Sequence, residues 1–138
     1  MEVPMEIQRL LLDDLSEDQE ILLREKNGSR VLSILIAPFE ARLLWRALHK
    51  EKIHIPRPLT HNLIQNCIKS LGGWIEKLIV TEIKNYIFLA SLIIQRGDQK
   101  IEVDCRPSDG LILCVWQEAP IFAEEDLLVK ESSLENIS

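Results

Sequence analysis

The chain has 138 residues, enough for one ordinary domain and too few for two. Its 46% hydrophobic and 28% charged residues lie near globular averages, which argues against disorder. No apolar run approaches the ~18 residues of a membrane span, and the acidic start Met1-Glu2-Val3-Pro4-Met5-Glu6 lacks the basic-then-apolar order of a secretory signal.

The formal charge of −6 is unevenly spread. Beyond residue 117, Glu118, Glu124, Glu125, Asp126, Glu131 and Glu135 face only Lys130. Across 42–57 the balance reverses, with Arg42, Arg46, Lys50, Lys52 and Arg57 against Glu51. That basic stretch is a modest argument for phosphate binding, and a solvated helix face is the commoner meaning of such charge. Cys67, Cys105 and Cys114 are scattered and odd in number, so no zinc knuckle or redox pair is expected. They read as reduced, small buried residues of a cytoplasmic protein.

In chain order, Met5 to Leu12 and Gln19 to Glu25 predict a strand pair around the acidic link 13–18. Asn27-Gly28 is a hairpin turn signal, and Arg30 to Ile36 predicts the third strand of an antiparallel meander. Pro38 suits the first turn of a helix that continues to His49. A polar linker follows, in which Pro56 and Pro58 hold Arg57 extended. Thr60 is a candidate N-cap, with Leu59, Leu63, Cys67 and Ile64, Ile68, Leu71 as the apolar stripe of a helix ended by Gly72-Gly73.

Trp74 to Ile83 and Tyr86 to Gln95 predict a hairpin across Lys84-Asn85. Gly97-Asp98 then turns the chain into Lys100 to Cys105, where Ile101, Val103 and Cys105 should face the core and Glu102, Asp104 and Arg106 the other way. Pro107 to Glu118 predicts a helix apolar all round, hence a central one. A brief strand at Pro120 to Phe122 and a short acidic helix to about Lys130 close the pattern. The expected class is α+β: a mixed, mostly antiparallel sheet with helices inserted between strand groups, one domain over 1–130 and a polar tail over 131–138.

The chain carries no glycine-rich phosphate loop, nucleophile elbow or His-Glu-x-x-His helix. Chemistry concentrates instead at two helix starts. In Asp104-Cys105-Arg106-Pro107-Ser108-Asp109, Pro107, Ser108 and Asp109 are good helix-start residues. Capping leaves Asp104 and Arg106 unexplained. Two carboxylates and an arginine at a strand–helix turn suit a divalent cation and a phosphodiester, or equally a closed salt-bridge knot. In Arg57-Pro58-Leu59-Thr60-His61, the helix start favours an anion that Arg57 could grip, or Arg57 pairs with Asp104 or Asp109 and His61 bonds locally. Glu40, at the start of the first helix, is either stabilised by the helix dipole or a third acid of the same site.

Together these stretches resemble the bifunctional nuclease family. Arg30-Val31-Leu32 through Pro38-Phe39-Glu40-Ala41, then Arg57-Pro58-Leu59-Thr60-His61, then Leu71-Gly72-Gly73, then Asp104-Cys105-Arg106-Pro107-Ser108-Asp109 with Ala119-Pro120-Ile121-Phe122 match its pieces in order, over roughly residues 5–130. Asn62 stands where that family commonly has aspartate, and Gly110 where it usually has alanine. The resemblance implies hydrolysis of DNA or RNA, with nucleic acid as partner, and the lack of a long apolar run argues against a membrane. It also implies a homo-oligomer, with a dimer favoured.

The expected roles are Asp104, Asp109 and Glu40 binding metal (Mg²⁺ or Mn²⁺, with Asp104 and Asp109 as ligands) or positioning water. Arg57 and Arg106 would hold phosphate, His61 would carry the proton, and Ser108, at the substrate, would cap the helix rather than attack. The alternative is a non-catalytic oligomeric module that holds a small anion or a protein partner.

Overall fold

The computed structural model describes residues 1–12, 19–52 and 54–135, with 132–135 described by backbone alone. The acidic link 13–18 and the end of the polar tail, 136–138, lie outside the described residues. Seven strands form one sheet: β1 (Glu2–Leu11), β2 (Gln19–Glu25), β3 (Val31–Ile36), β4 (Gly73–Lys84), β5 (Ile87–Arg96), β6 (Gln99–Cys105) and β7 (Ile121–Glu124). Among the described residues four α-helices accompany it: α1 (Pro38–Leu48), α2 (Thr60–Ser70), α3 (Pro107–Gln117) and α4 (Glu125–Glu135). The spatial order is β3-β2-β1-β7-β4-β5-β6. Every pairing is antiparallel except β4 with β7, so the α+β, mostly antiparallel expectation holds.

Period-two alternation assigns the faces. Met5, Leu23, Leu32, Leu78, Val80 and Leu92 point to one side, where α1, α3 and α4 close a single core with Leu44, Leu111, Ile112 and Leu128. α3 is buried along most of its length, as an all-round apolar helix must be. The opposite face carries no helix in that core. There Lys77 pairs with Glu2 at 2.7 Å, which raises its ammonium pKa, and lies 5.5 Å over the Phe122 ring. Arg30 forks onto Glu125 through two 2.8 Å bonds and also onto Glu25, clamping the start of α4 to the β2–β3 turn.

Several local expectations change. The tight turn of the β4–β5 hairpin is Asn85-Tyr86, both at positive φ (51° and 66°), one residue beyond the expected Lys84-Asn85. α4 continues to Glu135, through the segment expected as a polar tail. β6 is an edge strand, so Ile101 (37% exposed) and Val103 (40%) are not covered as expected. On α2, Ile68 of the apolar stripe packs on the core, but most of the stripe does not. Leu63, Ile64, Cys67 and Leu71 are exposed, and the helix's buried residue is His61.

Candidate functional site

Three helix starts converge on one chain of ion pairs. α1 and α3 begin alike, with proline at the first helical position and an acid two residues on: Pro38 and Glu40, Pro107 and Asp109. In both, the carboxylate sits in the first turn, where the helix dipole favours it. α2 brings His61 at its second position. The expected caps shift by one or two residues: Leu59, not Thr60, caps α2, and Arg106, not Ser108, caps α3. Ser108 lies buried in the first turn. Asn62 Oδ1 accepts the Leu59 N–H at 3.1 Å, a capping bond that either asparagine or aspartate can make.

The chain runs Glu40–Arg106–Asp109–His61. Arg106 Nη1 donates to Glu40 Oε1 at 2.9 Å, and its Nε donates to Asp109 Oδ2 at 2.8 Å. His61 Nε2 lies 2.9 Å from Asp109 Oδ1. Burial alone would raise the Asp109 carboxyl, but the hydrogen bonds and charges of Arg106 and His61 outweigh it and hold it below the usual carboxylate range. Asp109 is therefore ionised near neutral pH and only accepts. Nε2 therefore donates to it, a tautomer assigned from the acceptor it faces. The guanidinium of Arg106 is correspondingly raised, chiefly by its bond to Asp109.

The two ends of the chain are incomplete. Glu40 Oε2 and His61 Nδ1 are enclosed and have no protein partner among the described residues. Each such group costs about 1–3 kcal/mol, which a ligand or an ordered water that meets it would recover. Glu40 and His61 are buried, at 8% and 6% exposure. The Arg106 side chain is 66% exposed, and it is the member of the chain open to solvent.

Two of the expected members lie elsewhere. Asp104 alternates with Cys105, whose sulfur faces the helix layer beside Gly110, so Asp104 points to the opposite face of the sheet. It is exposed there, paired in register with Ser91. Arg57 is exposed in its loop, and no bond joins it to the cluster among the described residues. Lys50, from the same basic stretch, ties down the end of α3 by donating to the Val115 and Trp116 carbonyls at 3.0 and 3.1 Å.

A resident divalent cation does not fit this arrangement. Magnesium demands near-octahedral oxygen coordination, yet both oxygens of Asp109 are taken by Arg106 and His61, and Asp104 faces away. Among the described residues, no three His, Cys, Asp or Glu side chains come together to hold a metal. The arrangement offers instead an anchored arginine beside a polarised His–Asp pair, at three converging helix starts whose free amides favour an anion.

Beside the chain opens a cavity of about 430 Å³, between the end of β3, the β4–β5 hairpin, the start of α3 and α4. Sequence reasoning did not find it. Its walls come from β3, α1, the β4–β5 hairpin, α3 and α4, and its one acid not already singled out, Glu131, lies in a segment expected as tail.

Known proteins align with most of the chain. The bifunctional nuclease domain pattern matches residues 21–136. An uncharacterized protein of Mycobacterium tuberculosis is 37% identical over 114 residues, covering 83% of this chain and 66% of that protein. Bifunctional nuclease 1 of Oryza sativa subsp. japonica is 25% identical over 116 residues, covering 81% of this chain and 34% of that protein. The chain thus spans under two thirds of the length of the first relative and about a third of the second.

Proposed function

We propose that this chain, which belongs to the bifunctional nuclease domain family, hydrolyses phosphodiester bonds of DNA or RNA. The observation that carries the reading is Arg106: an exposed guanidinium fixed by two acids of differing helices, with Nη2 given no protein partner among the described residues. A preorganised guanidinium fork matches a phosphodiester and can stabilise the charge that develops on it. Glu40 and Asp109 are its positioning residues. His61 is the proton carrier of this reading, oriented through Nε2 by Asp109 and unpaired at Nδ1 among the described residues. Because Nδ1 is enclosed, substrate binding has to uncover it for the transfer to occur.

The test is hydrolysis of single-stranded DNA and RNA by the purified chain, with Mg²⁺ or Mn²⁺ and with chelator. An Arg106→Ala variant, checked for folding, runs beside it. Hydrolysis that falls ~100-fold or more in the variant supports the reading. Equal hydrolysis by both proteins points to a contaminant and refutes it. The chelator arm decides whether a cation delivered with the substrate takes part.

A second reading, a non-catalytic homo-oligomeric module holding a small anion or a protein partner, draws on a different surface. The apolar side of α2 (Leu63, Ile64, Cys67, Leu71) is exposed, and β6 leaves one edge of the sheet unpaired.

A further inference from the structure

The 430 Å³ cavity has the size of a small-molecule site and two chemically opposed linings. Ile34, Ile36, Ile83 and Phe88 contribute apolar walls. Glu40 and Glu131 supply its acids, and each holds one enclosed oxygen (Oε2 and Oε1) that no protein donor meets. These are two of the four such side-chain atoms among the described residues, and both belong to residues that line this cavity. A carboxylate only accepts hydrogen bonds, so a ligand that reaches these oxygens has to bring donors. The apolar walls ask for a carbon-rich body. A bare phosphate is repelled by the acids, and an inorganic cation has no use for the walls. Arg106, at the rim, supplies the opposite charge for a phosphate attached to that body.

We propose that this cavity is a base-binding subsite that takes nucleobases bearing an exocyclic amino group, with Arg106 holding the attached phosphate. The proposal rests on the nucleic-acid reading above and adds a substrate preference to it. Cytosine, adenine and guanine present amino hydrogens to acceptors. Uracil and thymine offer only a ring N–H flanked by two carbonyl oxygens, which a carboxylate repels. A site with buried acceptors discriminates strongly against a ligand that leaves them unpaired.

The full chain is titrated by calorimetry with cytidine and uridine monophosphates, which differ in the amino and carbonyl groups at one ring position and in the adjoining ring N–H. The expected result is binding of the cytidine nucleotide at least ~10-fold tighter than the uridine one. A Glu131→Gln variant, which leaves the Arg106 chain intact, should narrow that preference to about twofold. Equal binding of the two nucleotides, or no binding of either, overturns the proposal. So does an undiminished preference in Glu131→Gln, or binding of n-butylamine without the cytidine nucleotide. Hydrolysis of nucleic acid without base preference overturns this subsite and leaves the nuclease reading standing. A cytidine preference in a protein that hydrolyses nothing does the reverse.

Discussion

Arg106 and Glu40 are 66 positions apart in the chain and 2.9 Å apart in the fold. The pair joins the starts of α1 and α3, so it couples the position of two helices to one guanidinium. It also sets up a direct stability test. Removing Arg106 leaves the buried Glu40 carboxylate with no donor at either oxygen. Arg106→Ala should therefore lower stability by about 1–3 kcal/mol, toward the low end because the guanidinium is largely exposed. Arg106→Ala combined with Glu40→Leu removes both polar partners and should be more stable than Arg106→Ala alone. Urea unfolding of the three proteins checks the order.

The depressed carboxyl of Asp109 predicts part of the acid limb of stability. A group whose folded pKa lies below its unfolded value, about 3.9 for aspartate, stabilises fully above that unfolded value. The contribution fades as pH falls through the lower folded value. Asp109→Asn should cost stability at neutral pH and flatten the loss below about pH 4. Parallel curves for the variant and the parent from pH 2 to 7 would count against the ion-pair chain.

Gly110 shows how tightly α3 is seated. A Cβ there would stand 2.3 Å from Leu78 Cδ1 and 3.2 Å from Cys105 Sγ. Leu78 is fully buried and has little room to yield. Gly110→Ala should destabilise by about 1–3 kcal/mol through overpacking, despite its better helix propensity. Leu78→Ala in the same chain should make the two changes less than additive, measurable as a coupling energy in a double-mutant cycle.

The three thiols should react at separate rates. Cys67 is exposed on α2. Burial pushes Cys105 up to about 11, helped by the charges of Asp109 and Asp104, and Cys114 up to about 12. A thiol reagent at pH 8 should therefore label one cysteine quickly and the other two only after denaturation. If the apolar side of α2 joins two copies, Cys67 labelling will slow as protein concentration rises, and Leu63→Lys will abolish that dependence.

The helix starts were legible because their chemistry is local. Proline at the first position and an acid two residues on announce themselves in Pro38-Phe39-Glu40 and Pro107-Ser108-Asp109. Joining Glu40, Arg106, Asp109 and His61 took the resemblance together with the residue types. Asp104 was misplaced because alternation was carried one residue too far. It sets Asp104 and Arg106 on the same side, but Arg106 has left the strand and caps α3, so its side chain returns to the helix layer. The stripe on α2 is apolar as read, yet only Ile68 of it packs on the core and Cys67, read as buried, is exposed, since periodicity reports a face and not its neighbour. The cavity was illegible because its walls meet only in the folded chain.

The pairing order of the sheet has a consequence for synthesis. β7 lies between β1 and β4, so the four residues Ile121–Glu124 join the β1–β3 meander to the β4–β6 sheet. Until those residues leave the ribosome, the emerging chain holds two short sheets, with β1 and β4 each showing a bare edge to the other and to neighbouring polypeptides. A messenger cut short before Ile121 would release a chain with the Arg106 cluster already encoded and no strand to unite its two halves.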